Sequence, residues 1–147
     1  DRAETDARSD VATFTSAPLE RDIRLAGSPR IVIHCQSDRA SFDLSLVLSE
    51  VLPDGRVINL TEGFQRVAVG VVTAPIEVEL RPVVARLSRG HAVRLSIALA
   101  SYPAHALNVG DGTADRDARL MDMPITTVTI THGGVAGSCV LLPVTDD

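Results

Sequence analysis

Aromatic side chains are scarce in this sequence. The 147 residues include one Tyr, three Phe and no Trp, so aromatics make up 3% of the chain although hydrophobic residues make up 45%. Sugar sites usually stack the ring of the ligand on an aromatic face, and this chain has few residues from which to build one. Its apolar residues are mostly Val, Leu, Ile and Ala, which favour β-sheets with aliphatic cores.

Long hydrophobic runs and an excess of positive charge are also missing. No apolar stretch approaches the ~20 residues that a membrane-spanning helix requires, so no membrane partner is predicted. The net charge is −5 at pH 7, and all 14 basic residues are Arg. Binding to a nucleic-acid backbone requires a clustered positive face, and the sequence therefore predicts no nucleic-acid partner.

The sequence also lacks the nucleophile motif of a serine hydrolase. Such an enzyme carries its serine in a Gly-x-Ser-x-Gly turn between a strand and a helix, and no such pentapeptide occurs here. The four histidines (His34, His91, His105 and His132) have no Ser or Cys partner that the spacing identifies. No catalytic residue is predicted, and the chain alone is expected to be inactive.

Metal-ligand patterns are equally sparse. His34 has no second His, Cys or carboxylate at ligand spacing and is interpreted as a histidine on a sheet face. The stretch with Asp111, Asp115 and Asp117 does not have the spacing of an EF-hand, which makes a solvated acidic loop the simpler interpretation. The sequence therefore predicts no metal site and no cofactor.

Only two cysteines are present, Cys35 and Cys139. Both lie in predicted strands. They could be separate thiols or one bridge between strands, and the sequence leaves both alternatives open.

One strand stands out between Gly90 and Pro103. Apolar residues alternate there with polar or small ones: Val93, Leu95, Ile97 and Leu99 share one face, and Arg94, Ser96 and Ala98 share the other. A period of two is typical of a strand with one face in a core. Gly90 can take the positive φ of an entry turn, and Pro103 has no N–H with which to extend the ladder. The pattern predicts a central strand of an antiparallel sheet.

Similar short strands recur along the chain, about ten in all, with no convincing amphipathic helix. Pro53, Asp54 and Gly55 predict the turn of a hairpin whose second strand runs from Val57 to Thr61, with a new strand from Gly63 to Val69. Further strands are predicted from Pro75 to Pro82 and from Ser138 to Val144. Residues 1–10 are rich in charge and have no apolar period, so they are predicted to be a linker or tail. Residues 11–147 are predicted to form one all-β sandwich domain.

Several motifs occur in an order that is known from one family. Around the central strand they comprise Leu80, Pro82, Gly90, His91, Arg94, Leu95, Ile97, Ser101, Tyr102, Pro103, Asn108 and Gly110. The segment from Asp10 to Leu19, the Pro-Asp-Gly hairpin and the final Leu-Leu-Pro-Val complete the order. Together they resemble the carboxy-terminal domain of serine hydrolases related to cocaine esterase and X-Pro dipeptidyl-peptidase.

The resemblance implies a fold and a place in a larger protein. The fold would be a jelly-roll β-sandwich of the galactose-binding-domain type. Residues 1–10 would lead from an upstream α/β-hydrolase domain of the same polypeptide, which would hold the catalytic Ser, Asp and His and cleave ester or amide bonds. Residues 11–147 would be the non-catalytic domain that packs on it, with a possible homodimer.

Two segments are candidates for such an interface. The best-matched positions outside the core strands are Phe14, Leu19, Tyr102, His105 and Asn108. The alternative interpretation is a free-standing jelly-roll domain that binds carbohydrate or serves in structural assembly.

Overall fold

Eleven strands and one short helix form the regular structure of the described residues in the computed structural model. The description covers residues 1–68, 75–110, 121, 123–134 and 137–145. The elements are α1 (Ala3–Asp6), β1 (Val11–Thr15), β2 (Ile23–Gly27), β3 (Arg30–Ser37), β4 (Ser41–Val51), β5 (Val57–Ala68), β6 (Ile76–Glu79), β7 (Val83–Leu87), β8 (Ala92–Ala98), β9 (Val128–Thr131), β10 (Cys139–Leu141) and β11 (Val144–Thr145). The predicted all-β sandwich is confirmed. No helix in the described ranges is long and apolar enough to cross a membrane.

The first layer is an antiparallel sheet in the order β1-β8-β4-β5. β8 pairs with β1 on one side and with β4 on the other, which confirms the predicted central strand. Gly90 leads into β8 with φ of 85°, as the turn requires. Val93, Leu95 and Ile97 are buried on the inner face of this sheet.

The second layer consists of three long strands that are each interrupted once. β3 continues β2, β7 continues β6 and β11 continues β10, and the two halves of the layer have the orders β10-β3-β6 and β11-β2-β7. Pro29, Pro82 and Pro143 lie at the three interruptions. Because proline cannot donate to a ladder, regular pairing is interrupted at this level, and hydrogen bonds from the Leu80 N–H to the Pro29 carbonyl at 2.8 Å and from the Ala26 N–H to the Pro143 carbonyl at 3.0 Å join the strands there.

The core lies between the two layers and is almost entirely aliphatic. Its fully buried members come from both layers and include Leu25, Ile31, Ile33, Leu44, Leu46, Leu48, Leu80 and Leu87. Phe42 is the one buried aromatic residue among the described core residues. The aliphatic core that the composition predicted is therefore confirmed.

Backbone contacts join the two layers along one edge, which we call the closed seam. There β5 meets the bend between β6 and β7. The Arg81 N–H donates to the Glu62 carbonyl at 3.0 Å, and the Thr61 hydroxyl donates to the Arg81 carbonyl at 2.6 Å. Leu80 is 2% exposed and packs against Gly63. A side chain on residue 63 would occupy the space that Leu80 fills.

The opposite edge of the sandwich, which we call the open seam, is joined far less. It lies between β1 of the first layer and the β9–β10 edge of the second. The link found across it in the described residues is a contact between the rings of Phe14 and His132, whose centroids are 5.5 Å apart. Apolar grooves run behind this contact.

The observed strand boundaries correct three predictions. A break was expected at Gly63, but β5 continues through this residue. The glycine has no Cβ, which leaves space for Leu80 of the second layer. The strand that was expected to end at Pro82 ends at Glu79, and β7, which follows the proline, was not predicted. The strand predicted from Ser138 to Val144 is likewise divided at Pro143 into β10 and β11.

The cysteines are two free thiols. Cys35 is buried, and burial raises the pKa of its thiol. Cys139 is exposed in β10, where it lies opposite Val32 of β3 and not opposite Cys35. Cys35 and Cys139 therefore do not form a disulfide.

The amino-terminal segment differs from the irregular tail that its charges predicted. Helix α1 lies on the outer face of the first layer, and Asp6 in it is 7% exposed. One oxygen of the Asp6 carboxylate accepts hydrogen bonds from Arg2 Nε at 2.8 Å and Ser96 Oγ at 2.9 Å. The other accepts from Arg94 at 3.5 Å. The buried Asp6 carboxylate, which binds the guanidinium groups of Arg2 and Arg94, thus holds the segment on the sheet.

A second set of contacts fixes the first residues of the same segment. The Arg2 N–H donates to the Val57 carbonyl at 2.9 Å, and the Val57 N–H donates to the Asp1 carboxylate at 3.0 Å. The segment is therefore attached at both its start and its middle, and it is part of the folded domain.

Replacing Gly63 tests the closed seam. An added Cβ would lie 2.6 Å from Leu80 Cδ2 and 3.3 Å from the Glu79 carbonyl oxygen. We expect Gly63→Ala to lower the free energy of unfolding by about 1–3 kcal/mol, because the buried leucine cannot move away. Urea denaturation measures this. The double variant with Leu80→Val should be less destabilised than the sum of the two single variants, and strict additivity would contradict the contact.

Replacing Asp6 tests the attachment of the amino-terminal segment. Asp6→Asn removes the charge that Arg2 and Arg94 share, so amide hydrogen exchange in residues 2–10 should speed up. The matched control is Asp10→Asn, since the side chains of the Arg8–Asp10 ion pair are 63% and 62% exposed and such pairs contribute little. Equal exchange in Asp6→Asn and the parent would show that the carboxylate does not hold the segment.

Candidate interdomain surface

The loop that follows β8 is fixed to the first layer by an ion pair whose carboxylate is buried. Asp43 of β4 is 2% exposed and lies opposite Arg66 of β5. Arg66 binds both carboxylate oxygens of Asp43, with Nε at 2.8 Å from one and Nη2 at 3.0 Å from the other. The same Nη2 donates to the Ala106 carbonyl at 2.8 Å, which ties the loop backbone to the pair.

Asn108 forms the second attachment of this loop. Its amide nitrogen donates to Ser41 Oγ at 2.8 Å and to Asp43 Oδ1 at 2.9 Å. Its amide oxygen accepts from the Gly110 N–H at 2.9 Å. All of these partners lie within the domain, so Asn108 anchors the loop to the first layer.

His105 forms the third attachment. Its ring stacks on Phe64 of β5, with centroids 3.6 Å apart and planes 4° from parallel. The His105 N–H also donates to the Ser101 carbonyl at 2.9 Å, which closes a turn inside the loop. We call residues 101–110 with these three attachments the anchored loop.

Tyr102 is the exposed aromatic residue of the anchored loop. Its side chain projects into solvent and the residue is 73% exposed, although the loop around it is held at Ala106, His105 and Asn108. Of the three interface candidates in this loop, Tyr102 is exposed, whereas His105 and Asn108 make contacts within the domain. Sequence reasoning missed Asp43 and Arg66, whose cross-strand pairing can be recognised only once the register of β4 and β5 is known.

Phe14 and Leu19, the other two candidates, are half-buried and pack against the core. Phe14 lies opposite Leu95 in the middle of β8, at the open seam. The Leu19 N–H donates to the His91 carbonyl at 2.7 Å, and the Gly90 N–H donates to the Leu19 carbonyl at 2.9 Å. Leu19 thus lies at the start of β8, whereas Tyr102 follows its end, about 20 Å away at ~3.3 Å per residue. The structure does not bring these candidates into one small patch.

The remaining polar groups of interest have structural partners. His91 Nδ1 lies 2.7 Å from Glu50 Oε1. The Asp22 carboxylate accepts from the Arg89 N–H and from the Arg86 side chain, and these bonds lower the pKa of Asp22. Within the described ranges, no group of three or more potential metal ligands is found. The acidic stretch from residue 111 to 117 lies outside the described residues.

Comparison with known proteins agrees with this architecture. A search of curated proteins found no match. Among solved structures, an aminopeptidase from a marine-sediment Thaumarchaeota archaeon is 17% identical, with a TM-score of 0.87 over 99% of this chain and 27% of that one. A selenomethionine-labelled α-amino acid ester hydrolase is 19% identical, with a TM-score of 0.84 and the same coverage. A CocE/NonD family hydrolase from Staphylococcus aureus is 14% identical, with a TM-score of 0.62 over 92% of this chain and 30% of that one.

These structural similarities show the fold. This chain spans less than a third of each of those proteins. The family match is more specific. The model of the X-Pro dipeptidyl-peptidase C-terminal non-catalytic domain matches residues 2–140, which confirms the resemblance seen in the motifs. The chain therefore belongs to the family of X-Pro dipeptidyl-peptidase C-terminal non-catalytic domains.

Proposed function

We propose that this chain is the accessory domain of a serine hydrolase and packs on an upstream α/β-hydrolase domain of the same polypeptide. The upstream domain would cleave ester or amide bonds. Two facts support this: the family is a C-terminal non-catalytic domain, and the similar structures carry the names of an aminopeptidase, an ester hydrolase and a CocE/NonD hydrolase. This chain corresponds to about a quarter of such a protein.

The observation that carries the proposal is the exposure of Tyr102 on a loop that is otherwise fixed. A tyrosine has only two side-chain torsions to immobilise, and the anchored loop already holds its backbone. Both features lower the entropy that is lost on association. Aromatic residues in such positions are frequent hot spots of protein interfaces. The loop is therefore suited to dock on a neighbouring domain.

The attached amino-terminal segment supports the same arrangement. Interdomain faces are often mobile unless an additional contact restrains them. Here the segment that would lead from the upstream domain is held on the first layer by Asp6, Arg2 and Ser96. A segment that is fixed in this way reduces the freedom of the connection, which raises the effective concentration of the upstream domain at any docking surface.

Fluorine NMR of the single tyrosine tests the proposal. The chain has one Tyr and no Trp, so labelling with 3-fluorotyrosine gives one resonance, that of Tyr102. Adding the unlabelled upstream domain of the same protein should shift or broaden this resonance until it saturates. A resonance that is unchanged at high concentrations of the added domain would contradict docking through the anchored loop.

A relocated probe is the matched control. The double variant Tyr102→Phe with Val84→Tyr keeps an aromatic ring in the anchored loop and moves the only tyrosine to β7, in the second layer, where Val84 is 87% exposed. Its resonance should be insensitive to the added domain. A homodimer through the same loop is the alternative arrangement, and it would appear as a dependence of the Tyr102 resonance on the concentration of the labelled chain alone.

A further inference from the structure

Helix α1 lies on the outer face of the first layer, over β8. Leu95 and Ile97 of β8 are buried in the core, so Ser96 between them points to the outer face. The Ser96 hydroxyl donates to the Asp6 carboxylate at 2.9 Å, and Ser96 is 1% exposed. The segment that contains α1 therefore covers this part of the outer face.

The anchored loop lies on the same face, over β4 and β5. Ser96 lies opposite Val47 of β4, and Val47 lies opposite Glu62 of β5, so these side chains form one row across the outer face. Two residues further along β5 is Phe64, on which His105 of the anchored loop stacks. Side chains two positions apart on a strand share a face, so Phe64 also points outward.

The two elements are neighbours on that face. Phe64 lies two strands across from Ser96 and one row along. With strands about 4.8 Å apart and a rise of about 3.3 Å per residue, these two contact points are about 12 Å from each other. Val47, which lies in the row of Ser96, is 5% exposed although it points outward. Little of the sheet is therefore bare between α1 and the anchored loop.

Both elements present exposed residues to solvent. Those at α1 are Glu4, Thr5 and Ala7, and those of the anchored loop include Tyr102, Pro103 and Ala104. We call these residues the composite face. One of them is charged and one is a tyrosine, which fits the centre of a protein interface, where acidic residues are depleted and Tyr is enriched. The outer face of the second layer instead exposes charged residues such as Arg24, Glu77 and Glu79.

The connection to the upstream domain lies on the same side of the sandwich. The Arg2 N–H donates to the Val57 carbonyl of β5, and the Val57 N–H donates to the Asp1 carboxylate. The upstream domain would therefore be attached beside β5, the strand that also carries Phe64 under the anchored loop. Val57 and Phe64 are ~23 Å apart at ~3.3 Å per residue. About three quarters of the similar aminopeptidase lies outside the part that this chain matches, and a domain of that size reaches both points.

We infer that the upstream domain docks on the composite face, so that α1 and the anchored loop contact it together and the outer face of the second layer stays in solvent. This inference rests on the proposed function and specifies its surface: the amino-terminal segment is part of the interface as well as the connection. Each element is already fixed to the sheet, α1 by Asp6 and the loop by His105 and Asn108. Little ordering is therefore required on association.

A tyrosine moved to α1 tests the inference by fluorine NMR. The double variant Tyr102→Phe with Thr5→Tyr carries its only 3-fluorotyrosine in α1 and keeps an aromatic ring in the anchored loop. Adding the unlabelled upstream domain should shift or broaden this resonance with the same saturation midpoint as that of Tyr102 in the parent. The Val84→Tyr probe in the second layer is the control and should not respond. Ala7→Tyr in place of Thr5→Tyr gives a second probe of the same face if the first variant has a lower melting temperature.

The outcomes separate the inference from the proposed function. A response of Tyr102 without a response of the α1 probes would mean that the domain docks through the anchored loop alone, and would overturn the inference. If neither position responds, the proposed function fails as well. A response of the α1 probes that depends on the concentration of the labelled chain alone would assign the composite face to a second copy, and would also overturn the inference.

Discussion

The structure depends on the unequal joining of its two layers. Gly63 lets β5 approach the bend at Leu80 closely enough for backbone hydrogen bonds between the layers, and this closes one edge of the sandwich. The prolines at Pro29, Pro82 and Pro143 interrupt the second layer at the level where Leu80 and Arg81 meet β5. The opposite edge has no comparable contact in the described residues beyond the Phe14–His132 rings, and the apolar groove results.

Much of the fold could be predicted from local patterns. The alternation through β8 and the Pro-Asp-Gly hairpin gave correct strands because both signals are short-range. The break expected at Gly63 was wrong because its cause, the approach of Leu80, is a long-range contact. The strand β7 was missed because proline interrupts the hydrogen bonding of a ladder but does not prevent a new strand from starting directly after it.

The roles of candidate residues were harder to predict than their positions. Asn108 and His105 resemble recognition residues in sequence, yet their partners Asp43 and Phe64 lie on strands more than 40 positions earlier in the chain. Asp6 looked like one charge among many in a tail, and its burial follows from where α1 crosses Ser96. The Arg2–Asp6 spacing of four residues was the one local sign of a helix there.

Amide hydrogen exchange compares the isolated chain with the intact protein and tests the central claim, that the upstream domain docks on the anchored loop. The account predicts that amides of the anchored loop exchange at least about tenfold more slowly in the intact protein. Amides at the closed seam, in Glu62 and Arg81, should exchange alike in both, since their contacts lie within the domain. Equal exchange of the anchored loop in the two proteins would contradict the account.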